Sequence, residues 1–506
     1  VFMFRKGFTY ALLYDEGDDR YIPPMKGHFY DIVNFWNDFP VITKYYETNI
    51  PSTKTVCYKF FNGTPDSLIT RGPEKTSYSF TMRDMKPYKH EPQMVALSDV
   101  APKLLISTSP DWESKSMWFY GVNEDYGSFE STPAIDKKVA EILEGAGDEM
   151  DSISRLTHWV ADNIRYSGIS MGKGEGYTLH KGEMNFTDRC GVCKDKAGML
   201  VTMLRAAGFD SYAAMTMAGS RIDDIPADQF NHSVTVVRLH NGEYKMLDPT
   251  WVPFLRELWS SREQQQNYLM GLPEGADLME IPISPPENHY IKINGTSSVL
   301  KNGTIEGELV IEAEGQSDAN IRSFFTRSYK ADWGKLMEEE FLAVSPQFKI
   351  KEIQYPENPY DYSEPIKISV KYTINDYATV TDEEIIFIPV AATELFKKAM
   401  GHMYFETENE TREFPFKDRC SQMVEITETV SLPGLTEAVW LPVSESIQGT
   451  GGSFYGGYEL DGNKLVIHEK ALFPKRVYEP EDWDSYRSVV IARKKFAKEN
   501  VILKFK

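Results

Sequence analysis

Four cysteines stand in the 506 residues, Cys57, Cys190, Cys193 and Cys420. That is too few for a disulfide framework, so each is to be read as a thiol with its own chemistry. No apolar run approaches the ~20 residues of a membrane-spanning helix. Basic residues are in deficit: 55 Lys and Arg face 75 Asp and Glu, for a formal net charge of −20. A polyanion would be repelled, so nucleic acid is not an expected partner. No repeat or low-complexity tract is present. The Gly-rich run Gly449-Thr450-Gly451-Gly452 lacks both the dinucleotide and the P-loop spacing and reads as a loop between strands. Asp15, Glu16, Asp18 and Asp19 lack EF-hand spacing and read as a solvated cluster.

Hydrophobic residues make up 41% of the chain and aromatic residues 13%, which is the composition of a folded protein. The length implies two to four domains. The chain starts at Val1 with no basic, apolar and small-residue leader after it, so any signal peptide is expected to have been removed, and further N-terminal residues can be missing with it. Six Asn-x-Ser/Thr sequons occur, at Asn62, Asn185, Asn231, Asn294, Asn302 and Asn409. Chance supplies several in a chain this long, and they carry little weight.

The fold class expected is α+β in three parts: a β-sandwich over 1–128, an α+β core over 129–281, and a β-rich domain with a terminal helix over 282–506. Residues 1 to about 125 read mostly as strands, among them Val41 to Tyr46, Thr55 to Phe60 and Ser77 to Thr81, with Asn62 to Asp66 as a turn. The texture changes near Pro133. Helices are expected over 134–147, then from about Ser152 with Ile153, Leu156, Trp159, Val160 and Ile164 on one face, then from about Cys193. The third has the stripe Ala197, Leu200, Met203, Leu204 and Ala207, with Gly208 at its C′ position. Residues 166–189 read as a long loop. Three strands follow: Tyr212 to Met217, His232 to Leu239, and Tyr244 to Leu247. Beyond Pro282 the alternation from Thr304 to Ala313 marks a half-buried strand. Helix is expected within 317–343 and from Glu481 to about Lys498, with strands between and a last strand after.

The chemistry concentrates at Cys193, His232 and Asp248. A thiol on the first turn of a helix lies at the positive end of the macrodipole, which favours the thiolate. Lys194 and Lys196 add positive charge, Asp195 opposes it, and the N–H of Cys193 is a candidate oxyanion donor. A thiolate nucleophile needs a base, and His232 stands at the head of a β-branched strand. A base needs an orienting acceptor, and Asp248 ends the next strand. The connection through His240-Asn241-Gly242 tests the arrangement. A two-residue turn would pair His240 with Glu243 and put His232 and Asp248 on opposite faces of the sheet. A three-residue loop with Gly242 as a G1 bulge pairs Leu239 with Glu243. Val234 then faces Asp248, and His232 becomes its diagonal neighbour on one face, roughly 7 Å or less between Cβ atoms. The three-residue loop is predicted.

Gly191-x-Cys193-x-Asp195, Asn231-His232 on a strand, and Asp248-Pro249-Thr250 together resemble the transglutaminase-like (papain-type) superfamily over about residues 130–270. The flanks, around Leu105 to Trp112 and Glu263 to Tyr268, are similar to multidomain Bacteroidetes proteins with a DUF3857-type β-sandwich before that core and a β-rich domain after it. The resemblance implies a catalytic triad of Cys193, His232 and Asp248; separately, no cofactor and no metal are expected from the sequence. It implies a protein or peptide substrate and an exported bacterial protein, periplasmic, secreted or at the cell surface. A lipid anchor on a removed leader is compatible with that. Many relatives have no cysteine at the position of Cys190.

Other readings stay open from the residues alone. Cys193 can be a buried structural cysteine, Cys190 and Cys193 a redox pair, or Cys190, Cys193, His232 and Asp248 a zinc site. His158 and His180 read as surface residues, although His180 could line the cleft. Tyr166 and Tyr177 are guesses for a second oxyanion donor. Asp223, Asp224 and Asp228 either rim the cleft and favour cationic substrates or are simply solvated. For function, hydrolysis of an amide or peptide bond through an acyl-thioester on Cys193 leads, ahead of acyl transfer to an amine and of a non-catalytic surface binder with a vestigial triad.

Overall fold

The computed structural model describes residues 25, 27–167, 176–252, 258–259, 261–362 and 364–505. The acidic cluster at Asp15 to Asp19 lies outside them. The described residues form an α+β protein with two compact bodies. One comprises the described parts of Val1–His90, Val95–Pro253 and Gln266–Ile281; the other those of Glu91–Met94, Phe254–Gln265 and Pro282–Lys506.

The first body opens with a small β-sandwich. Its strands are β1 (Tyr30–Asn34), β2 (Val41–Pro51), β3 (Cys57–Phe61), β4 (Asp66–Arg71), β5 (Lys75–Met85) and, after the short helix α1 (Leu97–Val100), β6 (Lys103–Ser107). They form two three-stranded sheets, β1-β6-β3 and β2-β5-β4. Phe35, Ile50, Phe80, Leu104 and Ile106 fill the space between. The described residues up to about 125 are not strand throughout, because helix α2 (Trp112–Tyr126) occupies the end of that stretch. Its caps are in the sequence: Asp111 accepts from the Ser114 N–H at 2.7 Å, and Gly127 closes it at φ 73°. Its inner face, however, includes Lys115, Ser116 and Asn123. A stripe so polar carries little apolar periodicity.

The core follows with α3 (Pro133–Leu143), α4 (Glu149–Asn163), the two-residue strand β7 (Arg165–Tyr166), α5 (Gly182–Asp188), β8 (Cys190–Gly191) and α6 (Cys193–Ala206). The short helix α5 lies inside the stretch expected to be loop. Then come β9 (Asp210–Thr216), β10 (His232–Arg238), β11 (Tyr244–Leu247), β12 (Asn267–Met270) and β13 (Met279–Glu280), in the sheet order β11-β10-β9-β12-β13. Helix α6 is buried on every side from Asp195 to Leu204, the signature of a helix at the centre of a domain rather than on its surface. It packs against α3, α4, α5, β9 and β10.

The second body is built on an eight-stranded sheet that includes Tyr290–Val299, Ile305–Ala313, Ile366–Ile374, Gln422–Ser431 and Lys464–Phe473. Its pairs are antiparallel except Tyr290–Val299 with Gln422–Ser431. The run Gly449 to Gly452 is the turn of a hairpin in this sheet. Helices Gly315–Thr326, Trp333–Leu342 and Trp483–Phe496 contribute Phe325, Phe341 and Tyr486 to one large core. Two buried ion pairs sit there, Arg493 with Glu469 at 2.9 Å and Arg322 with Asp318. No described helix is long and apolar enough to cross a membrane.

His158 is not a surface residue: burial in α4 pulls its pKa down to about 4. In the second body, burial pulls His289 down to about 3. Each imidazole is neutral in the folded state and titrates near pH 6.5 once unfolded. The unfolded chain therefore binds more protons between those values, and the contribution is full above pH 6.5 and lost as pH falls towards 4. Urea midpoints of the wild type should drop between pH 7 and pH 5 more steeply than those of His158→Leu; parallel curves would refute this.

Candidate active site

The segment leading to Cys193 is held straight before the helix turns. β8 pairs in parallel with β7, with Arg165 opposite Cys190 and Tyr166 opposite Gly191. Ser167 N–H donates to Gly191 O at 2.8 Å. Val192 is extended at φ −98° and ψ −172° and caps α6, whose first residue is Cys193. Three extended steps span roughly 10 Å between the Cα atoms of Cys190 and Cys193, beyond the ~7 Å a disulfide tolerates. Both thiols are free. The redox-pair reading therefore fails on geometry.

Asp195, at the third position of α6, accepts from the Val192 N–H at 2.8 Å and caps the helix from within. Its other oxygen accepts from His180 Nδ1 at 2.8 Å. Asn185 Nδ2 spans the carbonyls of His180 at 3.3 Å and Asp195 at 3.2 Å. His180 is thus a buried brace, 6% exposed, and not a surface residue. The carboxylate also packs on Gly191, where an added Cβ would lie 2.5 Å from the Asp195 Cβ. Only glycine fits that approach.

Lys196 turns the other way. Its ammonium donates to Ala161 O at 2.8 Å and Ile164 O at 2.7 Å, at the negative end of α4. Burial lowers its pKa to about 8, against the pull of Asp248 and Asp162. Lys194 Nζ bonds the carbonyls of Gly176 and Thr178, both at 3.2 Å. The two ammonium groups thus tether the start of the helix to its surroundings. Thr235 does the same from the sheet, its hydroxyl donating to Ala197 O at 3.0 Å.

The β10–β11 connection is the three-residue loop. Leu239 N–H donates to Glu243 O at 2.8 Å, Gly242 N–H to Leu239 O at 2.8 Å, and Gly242 sits at φ 90°. The ladder runs from Arg238 opposite Tyr244 to Thr235 opposite Leu247. Continued, it sets Val234 against Asp248. His232 Nε2 reaches Asp248 Oδ2 at 2.9 Å. Opposite a carboxylate, that nitrogen donates, which leaves Nδ1 for the thiol. Asp248 Oδ1 accepts from the Thr250 N–H at 2.8 Å. The His232 side chain is 8% exposed and that of Asp248 0%.

At Cys193, burial alone would raise the thiol pKa. The hydrogen bond and charge of His232 outweigh it, together with the backbone N–H groups of Ser233 and Lys194, and hold the thiol below its ordinary value. The structure therefore brings Cys193, His232 and Asp248 together in one chain of contacts. Ser233 and Thr235 are contacts that sequence reasoning missed; no sequence signal distinguishes them, since each acts through a neighbour from another element. Of the two tyrosines, Tyr177 packs edge-on against Trp118 and Phe119, at 5.4 and 6.4 Å between centroids, in a core cluster. It is no oxyanion donor. Tyr166 is 55% exposed, and its phenol is raised by burial and by the charge of Cys193, with His232, Asp195 and Asp248 also in range.

Residues 136–254 match the model of the transglutaminase-like superfamily. The centre of this chain is a transglutaminase-like core domain. It is flanked by the domains of unknown function DUF3857, matched at residues 8–89, and DUF3858, matched at residues 384–503. No curated protein matches the chain. Among solved structures, a provisionally assigned protease from Parabacteroides distasonis ATCC 8503 has the same fold, with a TM-score of 0.62 at 13% identity, covering 95% of this chain and 75% of its own. A provisionally assigned cysteine protease from Cytophaga hutchinsonii matches with a TM-score of 0.21 at 10% identity, over 44% of this chain and 79% of its own. The periplasmic domain of TgpA from Pseudomonas aeruginosa matches with a TM-score of 0.20 at 11% identity, over 49% of this chain and 95% of its own. Scores that low carry no structural argument.

Inserting one alanine between Glu243 and Tyr244 of the transglutaminase-like core keeps the three-residue turn and should slip β11 by one against β10, setting Asp248 opposite Ser233 and off the face that carries His232. The expected result is a folded protein, by circular dichroism, whose Cys193 alkylates as an ordinary thiol; retained reactivity at neutral pH would contradict the register argument. Lys196→Met strips two carbonyls of their donor and should cost about 2–4 kcal/mol in chemical denaturation.

Proposed function

We propose that this protein hydrolyses an amide or peptide bond through an acyl-thioester on Cys193. The observation that carries the reading is His232, bonded through Nε2 to buried Asp248 at 2.9 Å and interacting with the thiol of Cys193. The Cys193 thiolate attacks the substrate carbonyl, and the C–O π electrons move to the oxygen. The Cys193 N–H, at the start of α6, is the backbone candidate to receive that oxyanion, and the Tyr166 hydroxyl is the side-chain candidate to assist. Protonated His232 gives its proton to the nitrogen as the C–N bond breaks, releasing the amine and leaving the thioester. Neutral His232 then takes a proton from water, the hydroxide attacks the thioester, and the acid departs as the thiol re-forms. Asp248 holds the imidazole in one tautomer throughout.

The provisional protease assignment of the Parabacteroides protein supports hydrolysis over transfer to an amine, as does the ordinary availability of water to a thioester. A protein or peptide substrate, met in the periplasm or at the cell surface, belongs to the same proposal and rests on family resemblance.

Wild-type protein digesting a proteome-wide peptide library should generate new termini that Cys193→Ala does not, with kcat/KM reduced by on the order of 10⁴-fold. The lowered thiol means that the thiolate persists below the pH of an ordinary cysteine. The rate of Cys193 alkylation by iodoacetamide should reach its plateau at a lower pH than that of a free cysteine and fall below it as the thiolate takes up a proton. A thiol that reacts only above pH 8 would sink the reading. With a Gln-containing donor and a labelled amine, release of ammonia without amine incorporation favours hydrolysis, whereas stable incorporation would replace it by acyl transfer.

A further inference from the structure

The loop of residues 217–231, between β9 and β10, delivers the chain to His232. Its base is closed by Asn231, whose side-chain oxygen accepts from the Ala218 N–H at 2.7 Å. Inside it, Gln229 accepts from the Asp223 N–H at 2.9 Å and donates to the carbonyls of Asp223 at 2.7 Å and Ile225 at 2.8 Å. Arg221 pairs with Asp223 at 3.1 Å, and Ile222 packs in the core cluster with Leu179, Val201 and Leu269; much of the remaining support comes from the N-terminal sandwich and α2.

Strand β6 supplies most of it, by strict alternation. Leu104 and Ile106 point into the sandwich. The intervening residues point out, and each meets the loop. Lys103 pairs with Asp223, Leu105 packs on Ile225 and Ala227, and Ser107 Oγ donates to Pro226 O at 3.0 Å. Arg221 N–H adds a bond to Asp99 at 2.9 Å. Helix α2 supplies the rest: Lys115 pairs with Asp228, Trp112 Nε1 donates to Asp224 at 3.4 Å, and the Trp112 ring meets Phe230 edge-on at 6.0 Å. Asp223 and Asp228 therefore neither rim the cleft nor lie in solvent. Side-chain exposures are 4% and 3% in the Lys103–Asp223 pair, and 2% and 3% in the Lys115–Asp228 pair. A buried pair with one partner removed leaves an uncompensated charge, so Lys115–Asp228 is costly to break one side at a time, while Asp223 keeps a second partner in Arg221 Nε at 3.1 Å.

We propose that the N-terminal β domain and α2 are a working part of the active site: they clamp the 217–231 loop so that His232 is presented to Cys193, with Lys103, Lys115 and Ser107 as positioning residues. This gives the N-terminal sandwich, through β6, a mechanical role, and it rests on the Cys193–His232 reading above. Displacing the clamp moves the strand entry that carries His232, while the thiol stays on α6, held by its own tethers.

The test uses the full chain. Lys115→Met, Lys103→Met and the milder Ser107→Ala are compared with the wild type by site-resolved alkylation of Cys193 against pH and by kcat and KM. The lysine variants should move the alkylation midpoint up by about one unit and lower kcat roughly tenfold or more with little change in KM; Ser107→Ala should shift both in the same direction by less. Ile135→Ala, buried in α3 away from the loop, controls for lost stability and should keep the wild-type midpoint. If a lysine variant fails to fold, Ser107→Ala and the paired replacement Lys115→Met with Asp228→Leu carry the test. Folded clamp variants with the wild-type midpoint and kcat would overturn the inference alone. An ordinary, unreactive thiol in the wild type would overturn the proposed function itself, and the clamp's role with it.

Discussion

The contact between His232 and Asp248 depends on a count of residues in a hairpin. Side chains alternate across a strand, so a slip of one position between β10 and β11 would carry Asp248 to the far face of the sheet. Three residues in the turn, with Gly242 at φ 90°, fix the count. From that follow the tautomer of His232, the nitrogen left for the thiol, and the sign of the shift at Cys193. Asp248 is fully buried, and its two oxygens are taken by His232 and the Thr250 N–H, so the acceptor has little freedom to turn away.

The other half of the site is a helix start placed in the middle of a domain. Burying it sets a problem, because the first turn of α6 carries Lys194, Asp195 and Lys196 beside Cys193. Each charge has been given a local partner: the Gly176 and Thr178 carbonyls, His180 with the Val192 N–H, and the end of α4. A buried charge is tolerated only when bonded in this way. The same bonds fix where the thiol points, so the solvation of these side chains and the alignment of the nucleophile have one cause.

Fixing the imidazole is a longer-range affair. β10 lies inside the core sheet between β11 and β9, but its entry is a fifteen-residue loop, long enough to need support beyond its own bonds. The sandwich orders it. In this view the N-terminal sandwich and the transglutaminase-like domain are less separable than their sequence boundaries suggest, since β6 has one face in the sandwich core and the other against the loop of the transglutaminase-like domain.

Read alone, the sequence carried the periodic parts: the stripe of α6 and Gly208 after it, the alternation from Thr304 to Ala313, the strands flanking Asn241-Gly242, and through them the face shared by His232 and Asp248. These are local signals, set by backbone geometry and by which side chains avoid water. It misread α2 because that helix buries Lys115, Ser116 and Asn123, and it placed His158, His180, Asp223 and Asp228 in or near solvent because polar residues usually are. Their partners lie elsewhere along the chain, as Lys115 does for Asp228. Whether a charge is buried is decided by which distant groups the fold delivers to it, and no local pattern records that. Thus the sequence determined that a thiol, an imidazole and a carboxylate could meet, while only tertiary packing decided what holds them there.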